Sequence, residues 1–162
     1  MIGIDTYSWG KLIKLKSMTN WDSIIDELLT KLDWFVTVEG KKEFQHFYPD
    51  QIQILDKGTI LPVLNIRLKN FIEEGFDLND ASLLEYAILR NYRIITEDRP
   101  LIGEAIYNKV NIVFLIDFFL ELTETNKYFS KREFYHLIKL FKKWKNIKKD
   151  KARKLETRRK II

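Results

Sequence analysis

The sequence predicts an α/β fold: a three-layer sandwich around a five-stranded parallel sheet, followed by a C-terminal basic helical extension. Three observations carry that prediction. Five short apolar segments alternate with stretches of helical periodicity. Those segments are apolar almost without interruption, as parallel strands buried on both faces are. Charge is divided along the chain: residues 1–130 hold 14 Lys and Arg against 20 Asp and Glu, whereas residues 131–162 hold 14 against 3. An acidic body with a basic end is a different object from an evenly basic protein.

Taken in order, "MIGI" is a short buried strand ending on Asp5, and "SWGKLIKL" is a short helix. "TNWDSIIDELLTKL" places Trp21, Ile24, Ile25, Leu28, Leu29 and Leu32 at the 3.6-residue period, with Thr19 or Asn20 as the cap. "WFVTV" reads as a strand over 34–38, and "EGKKEFQHF" as a helix with Phe44 and Phe47 on one face. "PDQIQILDKG" has Pro near its start and Gly at its end, the asymmetry of a short helix. "TILPV" (59–63) is a strand that Pro62 confines to a sheet edge, because proline cannot donate to a ladder.

"NIRLKNFIEEG" is helical up to Gly75, and "NDASLLEYAILRN" aligns Leu83, Leu84, Ala87 and Ile88. "RIIT" is a strand, "RPLIGEAIYNK" a helix, "NIVFL" a strand and "IDFFLELTE" a helix. Ser130 and Glu133 then have the spacing of a capping box. It opens an apolar stripe of Phe134, Leu137, Ile138, Phe141 and Trp144. The expected organisation is one domain over residues 1–128 and a basic helical extension over 129–162.

The 162 residues suffice for one core, and 46% of them are apolar, which argues against disorder. No apolar run approaches the roughly 20 residues that span a bilayer. "MIGID" has neither a basic start nor an apolar run, so no signal peptide is expected. With no Cys there is no disulfide frame and no thiolate chemistry. The expected location is cytoplasmic, with no membrane partner.

Four carboxylates carry the chemistry. In an open parallel sheet, ligands bind beyond the carboxyl ends of the strands. Asp5 follows the first strand and Asp98 the fourth; Asp80 opens a helix, and Glu43 lies in the first turns of the helix after the second strand. If the first and fourth strands are neighbours, all four face one cleft. Two like charges about 4 Å apart repel by roughly 4 kcal/mol at an effective dielectric of 20. Such a cluster persists only if protonated, solvated or holding a cation. Hard divalent ions favour oxygen ligands, and Mg²⁺ typically pairs one or two carboxylates with waters and phosphate oxygens. The two His, His46 and His136, are far apart, which disfavours a structural zinc site. Metal-assisted phosphodiester hydrolysis is the chemistry that fits.

Each acid also has a plainer reading. Asp80, with Asn79, reads as a helix N-cap, Asp5 as a strand-end turn residue and Glu43 as a solvated helix residue. Glu97, Asp77, Glu39 and Glu85 read as surface residues, His46 as a helix-surface residue and His136 as a tail-helix residue. The set, not any single member, makes the case.

"IGIDT", "TVEGKKEF", "LNDASLLEYAILRNYRIITEDRPL" and "NKVNIVFL", in that order over about residues 1–120, resemble a PIN domain. Carried over residue by residue, Asp5, Glu43, Asp80 and Asp98 match the family's acidic quartet and Thr96 its accessory hydroxyl. The resemblance implies a Mg²⁺- or Mn²⁺-dependent endoribonuclease that leaves 5′-phosphate and 3′-hydroxyl ends. Asp5, Asp80 and Asp98 would hold metal and its waters, Glu43 would ligate a metal or orient the nucleophile, and Thr96 would bond a carboxylate or a water. Many such domains are toxins of the VapC type, paired with an antitoxin protein and usually homodimeric; others process RNA.

The chain departs from the small toxins in its length and its basic end. Lys142, Lys143, Lys145, Lys148 and Lys149, interleaved with Trp144, are the candidate RNA contacts, because an acidic cleft repels phosphate and needs a counterweight. A solvated or disordered charge run is the plainer reading, and a membrane-surface helix the remaining one. A phosphatase-like α/β protein with Asp5 as nucleophile is a competing class, but its pattern wants a second Asp where Tyr7 stands. A non-catalytic domain that binds RNA or protein is the third.

Overall fold

The structure, a computed structural model, describes residues 1–125 and 128–161. It clusters into two compact units, Met1–Val113 and Phe114–Ile162; Asn126, Lys127 and Ile162, the last residue of the expected extension, lie outside the described residues.

The first unit is α/β with a five-stranded, all-parallel sheet. The strands are β1 (Ile2–Ile4), β2 (Trp34–Thr37), β3 (Thr59–Leu61), β4 (Arg93–Ile95) and β5 (Ile112–Val113). Their order is β3-β2-β1-β4-β5, so β3, with Pro62 just beyond it, lies at an edge, and β1 sits centrally between β2 and β4. The register pairs Ile4 with Ile95 and Gly3 with both Phe35 and Ile94.

Seven elements link or flank these strands: α1 (Thr6–Lys16), α2 (Asp22–Lys31), α3 (Val38–Phe47), a 3-10 helix (Pro49–Lys57), α4 (Leu68–Glu73), α5 (Leu78–Arg90) and α6 (Arg99–Tyr107). β1 and β2 are buried throughout, which requires cover on both faces. Consecutive residues of β2 divide that work. Trp34 meets Trp9 of α1 edge-on at 5.0 Å between ring centroids, and Trp9 meets Phe44 of α3 at 5.4 Å. Phe35 enters a separate cluster with Phe71 of α4, Leu83, Leu84 and Ala87 of α5, and Leu101 and Ala105 of α6. This arrangement is consistent with three layers.

Several boundaries differ from expectation, each for a local reason. Trp21, not Thr19 or Asn20, is the N-cap of α2, and no side chain caps it; Trp21 N–H bonds instead to Met18 O in the preceding turn. β2 stops at Thr37, whose hydroxyl caps α3 by accepting from Gly40 N–H at 3.1 Å. Residues 49–57 form a 3-10 helix, not an α-helix. β3 ends before Pro62, whose carbonyl accepts from Tyr86 Oη at 2.6 Å. Helix α4 begins only at Leu68 because Asn65 is left-handed, with φ of 58°. The backbone N–H groups of Asn65, Ile66 and Arg67 are drawn away to the Glu85 carboxylate at 3.2, 2.7 and 2.8 Å. Glu85 is therefore fully buried, not a surface residue.

The second unit contains α7 (Leu115–Glu124), α8 (Lys131–Lys143) and α9 (Lys149–Ile161). The expected capping box is present: Ser130 Oγ accepts from Glu133 N at 3.1 Å, and Glu133 accepts from Ser130 N at 2.6 Å. Phe134, Leu137, Ile138 and Phe141 are buried, while Trp144 is half-buried against Phe141. Asp117 of α7 pairs with Lys151 of α9 at 2.7 Å, and Glu124 with Arg158 at 2.6 Å. Both pairs step seven residues in the same direction, so α7 and α9 run parallel there. The basic end is thus helical over Lys131–Lys143 and Lys149–Ile161, with ion pairs from Lys151 and Arg158 and packing through Ala152 and Leu155. Among the described residues no helix is long and apolar enough to cross a membrane.

Candidate functional site

The parallel pairing of β1 with β4 puts the chain ends after those two strands side by side. Asp5 N–H still belongs to that ladder, donating to Ile95 O at 3.2 Å. The Asp5 side chain is 3% exposed and both its oxygens are engaged. Oδ1 accepts from Ser8 N at 2.7 Å and so caps α1; Oδ2 accepts from the Thr96 hydroxyl. Burial pushes the Asp5 carboxyl above its ordinary value, opposed by these hydrogen bonds and by the Lys11 ammonium.

Thr96 is fully buried and works in two directions. Its hydroxyl donates to Asp5 and its Oγ1 accepts from Asp98 N at 3.1 Å. The hydroxyl therefore fixes the turn that leads into α6. Asp98 occupies the N-cap position of α6, but its side chain does not cap. Its carboxyl is pushed up, by burial and then by Asp77.

Asp80 lies in the first turn of α5. The plainer reading of Asp80 as the N-cap is corrected: Asp77 is the cap, its Oδ1 accepting from Asp80 N at 2.8 Å. The Asp80 side chain is thereby left to a different task. Burial, followed by the charges of Asp77, Asp98, Asp5 and Glu43, raises its carboxyl to about 7. Every other member of the expected quartet thus lies within electrostatic reach of Asp80, although the four are far apart in sequence.

Glu43 sits half-buried in the second turn of α3. Its Oε2 accepts from Asn79 Nδ2 at 2.6 Å. Burial again raises the carboxyl, with Asp77 and Asp5 adding to it and the hydrogen bonds of Asn79 and Thr6 opposing. A cleft of about 390 Å³ opens beside it, lined by Glu39, Lys42, Glu43, His46, Asp77, Leu78 and Asn79. His46 and Glu39, read as surface residues, therefore face this cleft.

Four polar residues that matter here had a different or no reading in the sequence. Asn79, considered only as a cap partner, is 6% exposed and bonds both Glu43 and Thr6. Asp77, exposed as expected, is also the cap that orients the start of α5 and a source of charge on Asp80, Asp98 and Glu43. Glu97 is not a surface bystander: it is ion-paired with Lys11, whose ammonium also lies 4.5 Å from the Tyr7 ring centroid. Lys11 is itself buried, which lowers its affinity for the proton that Glu97 and Asp5 help retain. The "IDTYS" and "TEDRP" signals adjoin, but nothing in a linear reading couples Lys11 to a residue 86 positions away.

The donor set is all oxygen. Among the described residues no three Asp, Glu or His side chains form a group that could hold a metal ion by themselves. Asp5 and Glu43 already accept hydrogen bonds, whereas the Asp80 and Asp98 carboxyls are perturbed by burial and charge. That chemistry fits a hard cation held by one or two carboxylates and completed by water. The candidate lysines are in the second unit. Lys142, Lys143, Lys145, Lys148 and Lys149 are exposed, and among the described residues none is ion-paired. They surround a tight helix end, where Lys145 is left-handed (φ 57°), Lys145 N bonds Lys142 O at 3.0 Å and Asn146 N bonds Phe141 O at 2.9 Å.

No family model matches the chain, and no curated protein matches it.

Proposed function

We propose that this chain is a Mg²⁺- or Mn²⁺-dependent endoribonuclease of PIN-like type, hydrolysing RNA phosphodiester bonds at the C-terminal edge of its sheet. The observation that supports it best is the state of Asp80. An isolated helix-start aspartate would stay ionised; here burial first, and then the charges of Asp77, Asp98, Asp5 and Glu43, raise its carboxyl to about 7. A protein keeps so costly a cluster where a cation, a proton or a phosphate is handled.

Asp80 and Asp98 would hold the ion, together with waters and oxygens of the scissile phosphate. When bound, the ion screens the phosphate and makes a coordinated water more acidic. Asp5, locked by Ser8 and Thr96, supplies negative charge in a fixed position behind that pair. Glu43 would ligate the ion or orient the attacking water and accept its proton, and its burial-raised carboxyl favours proton uptake. Thr96 keeps Asp5 and Asp98 in mutual register. Lys142, Lys143, Lys145, Lys148 and Lys149, beside Trp144, attract the RNA backbone. In this reading an antitoxin protein that covers the cleft and a homodimeric state are natural partners, and RNA maturation is the other setting for the same chemistry.

A second reading is a non-catalytic RNA- or protein-binding domain, favoured by the lack of a three-carboxylate group among the described residues. One assay separates the two. The nuclease reading expects cleavage of a mixed RNA substrate that requires Mg²⁺ or Mn²⁺ and is lost in Asp98→Asn. Retained RNA binding with no cleavage at any metal concentration selects the binder.

A further inference from the structure

We infer that Asn79 is a positioning residue that fixes Glu43 in the cleft; the inference rests on the nuclease reading. Asn79 stands on the first turn of α5, is 6% exposed and commits its amide to two other helices. Nδ2 donates to Glu43 Oε2 of α3 at 2.6 Å and to Thr6 Oγ1 of α1 at 3.1 Å. Its Oδ1 lies over Gly40, where an added Cβ would come within 2.8 Å of it. The missing side chain at Gly40 is therefore what lets the amide seat against α3.

This arrangement has a specific physical logic. Glu43 faces Asp77 and Asp5, and repulsion among carboxylates favours swinging it out into solvent. A neutral donor is the one side-chain type that can restrain it without cancelling the charge an ion requires. A lysine would restrain it but would occupy the cation's place, and an aspartate would repel it. Asn79 thus holds Glu43 while leaving its charge available. Outer partners of this kind commonly change metal affinity by about 10–100-fold when removed.

The test measures Mn²⁺ binding by calorimetry and RNA cleavage by initial rates, in the parent protein and in Asn79→Ala, Asn79→Asp, Gly40→Ala, Glu43→Ala and Asn79→Ala/Glu43→Ala. We expect Asn79→Ala to weaken Mn²⁺ binding about 10-fold and to lower kcat with little change in KM. Gly40→Ala, which keeps the amide but displaces it, shows the same pattern. In the Glu43→Ala background, removal of Asn79 adds less than 2-fold, because its effect passes through Glu43. Asn79→Asp keeps the shape and is read if alanine fails to fold; a loss of at least 10-fold in Mn²⁺ affinity is expected. Parent-like Mn²⁺ binding in Asn79→Ala or Asn79→Asp overturns the inference, and so do losses that multiply in the double variant. A parent that binds Mn²⁺ with this coupling yet cleaves no RNA removes the nuclease reading and leaves the positioning role standing. A parent that binds no Mn²⁺ overturns both.

Discussion

The Thr96 hydroxyl donates to the Asp5 carboxylate across the β1–β4 pair, joining residues 91 positions apart in sequence. Both partners are buried, and the same Thr96 oxygen accepts from Asp98 N at 3.1 Å. Replacing Thr96 by valine keeps the shape but strands an acceptor on Asp5 and a donor on Asp98. An unsatisfied buried group costs about 1–3 kcal/mol. Thr96→Val should lose roughly that much in urea unfolding, and Thr96→Ser should recover most of it. A neutral Thr96→Val would mean that the hydroxyl does not hold this junction.

Stability without metal should fall as pH rises. Asp80 folds with a carboxyl raised from 3.8 to about 7, so the stability it contributes is complete below its unfolded value and is lost as pH rises through about 7. Asp5, Glu43 and Asp98 shift in the same direction. Because Asp80 is partly exposed, the expected loss from pH 6 to 8 is only about 1 kcal/mol. Asp80→Asn should flatten that slope and raise stability at pH 8, while Mg²⁺ should protect the parent more at pH 8 than at pH 6. Thermal melts across pH, with and without Mg²⁺, check this.

Glu85 is expected to be a purely structural acid. It accepts three backbone N–H bonds at the β3–α4 connection and lies outside the candidate cleft. Glu85→Gln keeps the volume but turns an amide donor toward N–H groups, and should cost about 2–4 kcal/mol. RNA cleavage per folded molecule should be unchanged. Loss of cleavage in a variant that remains folded would assign Glu85 to the site.

Lys145 separates stability from binding at one position. As the left-handed residue that ends α8, it carries a strain that glycine lacks. Lys145→Gly should raise the stability of the second unit by about 0.5–1 kcal/mol. If the exposed lysines track a single-stranded backbone, the same change should lower the log–log salt slope of RNA binding by about 0.7. Stabilisation with an unchanged salt slope would remove this corner from the RNA surface.

The fold was legible because strand signals here are simple. β1, β2 and β4 are short apolar runs between helical patterns, and Pro62 marks its strand as an edge. Asp5 and Asp98 were legible as strand-end acids, since a parallel sheet has only one edge where such residues gather. The rest depends on distances that no spacing encodes. Glu97 looks like a loop residue until the fold brings Lys11 of α1 to it. Glu85 reads as one more polar position of α5 until three amides of an irregular turn reach it. The caps misled for a related reason: in "FDLND" two aspartates compete for the start of α5, and Asp77 takes it because its extended backbone (φ −72°, ψ 171°) permits the bond to Asp80 N.

The strand order has a consequence for synthesis. β1 is made before both of its neighbours, and β4 follows it by some ninety residues. Closing so long a loop is slow relative to local helix formation. Residue 98 therefore meets residue 5 only once β4 has paired with β1, so this corner of the fold is completed after the local helices have formed.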